Sequence, residues 1–132
     1  MKHIIISRAW AWDPINITVG RYIIIERLAE SFAATLYGEN CVGPWVADFD
    51  MRDLPRVRAI MRNAIAIKGF DAVKQYVFGD AKSGAKLGLP NCAGYAVGYH
   101  IVQKFMEKTG KDIIEATFTP AERIIEESGF FD

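Results

Sequence analysis

A mainly α-helical, compact domain is the fold this sequence predicts, on two observations. Apolar residues recur with a helical period, interrupted by Gly, Pro and Asn, and no stretch sustains strand-like alternation up to a hairpin turn. The 132 residues suit one domain over 1–132, and a 51% apolar, 24% charged composition can bury enough surface to offset chain entropy. Sixteen basic residues cancel sixteen acidic ones, so no net field draws the chain to nucleic acid or to an anionic membrane.

The elements follow from their punctuation. Asp13-Pro14 and Asn16 mark a break, after which Thr18 is a suitable N-cap for a helix over 18–37 that Gly38 would end. Residues 40–45 are rich in breakers and read as a loop, with Trp45 docking on the neighbouring helices. Asp53 is placed to cap a helix through Arg56, Ile60 and Ala64, and Gly69-Phe70-Asp71 restarts a shorter one through Tyr76 and Phe78. With three glycines, three lysines and a proline, 79–90 reads as a mobile surface loop. A long helix is expected over 92–108, closed by Thr109-Gly110, followed by two short ones around Ile113-Ile114 and over 120–127.

Glu26 is the residue that needs explaining. At about 3.6 residues per turn it shares a stripe with Tyr22, Ala29, Ala33 and Leu36, which points a carboxylate toward the core. Glu30 follows one turn later, and like charges at that spacing repel unless a cation sits near them. Pairing with Arg27 or Arg21 at the surface is the simpler alternative.

Other candidates carry their own plainer readings. Gly94 and Gly98 lie on one helix face and would let another backbone approach, a packing role that needs no catalysis. Tyr95, Tyr99, Val102 and Met106 form the adjacent stripe, so both tyrosines face inward, as core residues or with hydroxyls aimed at a site. His100 shares a polar face with Gln103, Lys104 and Glu107 and reads as a solvated surface histidine. Arg52, Arg56, Arg58 and Arg62 stand beside Asp48, Asp50 and Asp53 without interleaved aromatics, a solvated helix face rather than a phosphate site. Cys41 and Cys92 belong to no Cys-x-x-Cys pair and are expected as reduced thiols. No apolar run suits a signal peptide or approaches the ~20 residues that span a bilayer, so a cytoplasmic protein is expected.

Two segments carry a family resemblance. Glu26-Arg27-Leu28-Ala29-Glu30-Ser31-Phe32 resembles the Glu-Gly-Leu-Ala-Glu/Asp-x-Phe segment of the YjaZ-like group of predicted zinc-dependent proteases. Residues 90–99, with Pro90, Gly94, Tyr95, Gly98 and Tyr99, match its Pro-x-x-x-Gly-Tyr-x-x-Gly-Tyr helix. Smaller agreements at Gly38-Glu39, Gly43-Pro44-Trp45, Phe78-Gly79, Pro120-Ala121-Glu122 and Ser128-Gly129-Phe130 occur in the family's order.

The resemblance implies the C-terminal helical part of a gluzincin-type metallopeptidase. In it Glu26 is the third zinc ligand and Glu30 a carboxylate that orients a ligating imidazole. Tyr95 or Tyr99 would donate a hydrogen bond to the oxyanion. Position 27 departs from the family pattern, with Arg in place of Gly.

Catalytic zinc usually takes three protein ligands, two of them commonly from His-Glu-x-x-His. These residues contain only His3 and His100, and no such motif. The expectation is therefore a metallopeptidase-like chain, truncated, split or catalytically dead, that neither binds Zn2+ nor hydrolyses peptides alone. A homo-oligomer or a complementary chain is the expected partner, and a peptide the expected substrate. A non-catalytic helical module that binds a protein partner is the alternative.

Overall fold

The computed structural model describes residues 15–37, 50–84, 86–90 and 93–132. The expectations for His3, the loop around Trp45, Gly38 as a helix end and both cysteines fall outside these residues. Among them the fold is mainly helical: α1 (Val19–Tyr37), a 3-10 turn (Met51–Asp53), α2 (Leu54–Ala64), α3 (Phe70–Phe78), α4 (Asp80–Ser83), α5 (Ala93–Thr109), α6 (Ile113–Thr117) and α7 (Ala121–Ser128). The single β-type feature described is one antiparallel bridge between Thr18 and Lys68.

Helices α1 and α5 form the centre, with α7 and α3 packed around them. On α1, Val19, Ile23, Ile24, Ile25 and Leu28 are all buried, so this helix has almost no solvent face over its first three turns. Thr18 caps it as expected, its hydroxyl accepting from the Arg21 N–H at 3.1 Å. The N–H groups of Val19 and Gly20 donate to the carbonyls of Ile67 and Ile65, both at 3.0 Å, so the connection between α2 and α3 satisfies the rest of the first turn.

The two glycines of α5 are packing devices. A Cβ on Gly94 would lie 2.7 Å from Val77 Cα, and one on Gly98 would lie 2.8 Å from the Ile23 carbonyl oxygen. Only a residue without a side chain lets α5 approach α3 and α1 this closely, and the packing role expected of the pair is the one observed.

Two details of the sequence-based elements change. Asp53 does not cap α2, because its backbone is already helical; Asp50 accepts from the Arg52 N–H at 2.9 Å and starts a 3-10 turn, while Asp53 pairs with Arg56 at 3.1 Å. Residues 79–90 are more than a surface loop. They contain α4, and the Asp80 carboxylate accepts from Gly88 N–H at 2.8 Å and Leu89 N–H at 3.3 Å, which folds the segment back and buries Leu89. The Arg56 guanidinium adds a bond to the Gly88 carbonyl at 2.7 Å.

Candidate functional site

Tyr22 and Glu26 share one face of α1, as the stripe predicted, but that face is a half-buried rim and not the core. Burial, then the charge of Glu26 and the hydrogen bond to it, pushes the Tyr22 phenol up to about 12. Tyr22 also packs edge-on against Phe70, with ring centroids 5.8 Å apart. The carboxylate predicted to face an apolar environment thus has a phenolic donor one turn away, a partner legible in the i, i+4 spacing.

Arg27 reverses its expectation. In place of a surface position it is 8% exposed, with its guanidinium 4.6 Å from the centroid of the Tyr99 ring. Stacking on an aromatic face suits a planar, weakly hydrated guanidinium, and the close seating of α5 on α1 at Gly98 brings the Tyr99 ring to it. The side chain that departs from the family pattern is accommodated by the glycine and tyrosine of the second segment.

Tyr95 and Tyr99 are both half-buried. Tyr95 packs at a tilt against Phe78, ring centroids 6.0 Å apart, and Tyr99 lies between Arg27 and His100, whose ring is edge-on at 5.3 Å. His100 is half-buried and not a solvated surface group, and the burial pushes its imidazole below the ordinary value. Arg27 and Tyr99 are therefore in contact and Glu26 adjoins Arg27 in the chain, while Tyr95 sits one turn back along α5 toward α3. Glu30 lies on α1, one turn beyond Glu26.

Zinc does not find a complete donor set here. Among the described residues no three His, Cys, Asp or Glu side chains come close enough to hold a metal ion. Of the ligands implied by the resemblance, Glu26 is the one these residues supply. The arginine cluster is solvated: Arg52 pairs with Asp50 at 2.8 Å, Arg56 with Asp53, and Arg58 and Arg62 are exposed. Among the described residues no helix is long and apolar enough to cross a membrane.

Comparison with known proteins agrees with the motifs. A protein from Bacillus subtilis (strain 168), "Uncharacterized protein YjfC", is 45% identical over 120 residues, which are 88% of this chain and 40% of that relative. The chain thus spans about two fifths of the length of the curated relative it matches. No solved structure matches it. The family model described as "Predicted Zn-dependent protease (DUF2268)" matches residues 1–126, and the chain belongs to that family.

Proposed function

We propose that these residues form the helical, glutamate-bearing part of a zinc metallopeptidase site, with Glu26 as one metal ligand and the two imidazoles and general base supplied from outside the 132 residues. The observation that carries this reading is the position of Glu26: a carboxylate on the half-buried rim of a helix whose other described faces are buried, one turn from a tyrosine hydroxyl that bonds it. A carboxylate held this way keeps lone pairs for a cation while its rotamer is restricted, which is what a ligand needs. Zinc, when bound, would activate water toward a peptide carbonyl.

The remaining roles concern this chain's own groups. Tyr99, its ring fixed under the Arg27 guanidinium, and Tyr95 are the hydroxyls proposed to donate to the oxygen of the scissile carbonyl. Glu30, one turn after Glu26, is proposed to orient a ligating imidazole. The proposed partner is the segment or chain that brings a His-Glu-x-x-His helix, and the proposed substrate is a peptide.

Zinc titration against a chromophoric chelator tests the reading. The 132 residues alone are expected neither to bind zinc tightly nor to cleave an unfolded protein, whereas a fusion to a His-Glu-x-x-His helix should bind it and lose roughly tenfold or more in affinity on Glu26→Gln. Equal zinc affinity of the fusion with and without Glu26 would remove it from the ligand set. Zinc-dependent cleavage by the 132 residues alone would overturn the requirement for an outside motif.

A further inference from the structure

Away from Glu26, a cleft of about 390 Å³ opens between the first turn of α1, the connection from α2 to α3, and α7 with the residues after it. This is within the size range of small-ligand sites, roughly 300–1,000 Å³. Its floor is apolar, made by Gly20, Ile65, Ile125 and Phe131. Gly20 lets α1 seat closely on this floor, since a Cβ there would stand 3.0 Å from Ile125 Cδ1 and 3.1 Å from Ile65 Cβ.

The lips carry opposite charge. Arg21 lines the α1 side, and Glu122 and Glu126, one helical turn apart on α7, line the other. Among the described residues none of these three makes an ion pair, although both α7 carboxylates and the guanidinium border the same opening. Asp132 also lines the cleft and adds a third carboxylate, near the place at Gly129 where the Lys108 ammonium lies. The amide groups of the α1 first turn are already taken by the Ile65 and Ile67 carbonyls, which leaves the Arg21 side chain to recognise an anion.

We infer that this cleft binds an apolar dipeptide with free termini. The α-ammonium, charged at neutral pH, would face Glu122 and Glu126, the carboxylate would meet the Arg21 fork, and the apolar side chains would lie on Ile65, Ile125 and Phe131. Among the described residues Arg21 does not pair with either glutamate across the opening, and two residues in extended form span about 7 Å. The inference does not rest on the zinc reading.

Nuclear magnetic resonance titration of the full 132-residue chain at neutral pH tests it with three probes: Leu-Phe, N-acetyl-Leu-Phe and Leu-Phe-amide. Leu-Phe should shift the amides of Gly20, Ile65 and Phe131, and each capped form should bind roughly tenfold more weakly. Glu122→Gln combined with Glu126→Gln should erase the discrimination against the N-acetyl form while keeping that against the amide, and Arg21→Gln should do the converse. The three glutamate and arginine changes lie on the rim, so the fold survives them, and unchanged amide spectra elsewhere verify this. Equal affinity for all three probes would make the cleft a charge-blind apolar site and overturn the inference, as would no binding at concentrations on the order of 10 mM.

Discussion

At the scale of single residues, the Tyr22–Glu26 pair gives the sharpest expectation. Because burial and Glu26 push the folded phenol up to about 12 from its ordinary 10.0, folding favours the protonated form. That stabilisation is complete below the unfolded value and is lost as pH rises from there through the folded one. Ultraviolet difference titration should show a late tyrosine ionisation that is absent from Tyr22→Phe. Glu26→Gln should bring that transition down without restoring the ordinary value, since burial, the largest cause, remains. An unmoved late transition in the variant would mean that Glu26 does not reach the phenol. Residue chemistry was only half legible in the sequence. The stripe joining Tyr22 to Glu26 follows from helix period alone, whereas the burial of Arg27 depends on Gly98 and Tyr99, which lie some seventy positions later and meet it only through packing.

Among elements, α5 shows how two opposing effects are decided by magnitude. Replacing Gly98 by Ala inside a helix should gain up to about 1 kcal/mol in helix propensity. The new Cβ, however, would stand 2.8 Å from the Ile23 carbonyl oxygen, a backbone atom that cannot rotate aside. Overpacking of this kind costs about 1–3 kcal/mol, so urea melts should show a net loss, and a stabilised Gly98→Ala would refute the close approach. Asp80 organises the next element. Partial burial works against its charge, yet the N–H groups of Gly88, Leu87 and Leu89 and the Arg56 guanidinium outweigh it and hold the carboxyl below the ordinary value. The stabilisation is present above the usual carboxylate range and is lost as pH falls through the folded value. Asp80→Ala should speed amide hydrogen exchange at Gly88 and Leu89 relative to α5, and unchanged protection there would contradict the anchoring role. The sequence suggested a loose segment at this place because Gly, Lys and Pro dominate it. One aspartate collecting backbone donors eight and nine residues away leaves no periodic signal.

For the whole molecule, one apolar cluster runs from Ile17 on the approach to α1 to Phe130 after α7, with Val57, Val77 and Phe105 among its members. Every described helix of eight residues or more contributes to it, so unfolding is expected to be a single cooperative event. Far- and near-ultraviolet circular dichroism should give coincident urea transitions, and two separated midpoints would split the core into independent units. The helical class and the order of the long helices were legible because they rest on period and on Gly and Pro punctuation. How the helices seat on one another was not, since that depends on which surfaces lack a Cβ.

The contact between Gly98 and the Ile23 carbonyl has a mechanical meaning for the proposed ligand. Two backbones in direct touch leave no compliant side-chain layer between them, so a displacement of α5 is transmitted almost undiminished to the turn of α1 that carries Glu26. Leucine side chains at such a crossing would absorb small shifts by changing rotamer; carbonyl against glycine has no comparable slack. The carboxylate is thus located by the frame of the molecule, and its aim is as constant as the spacing of the two helices beneath it.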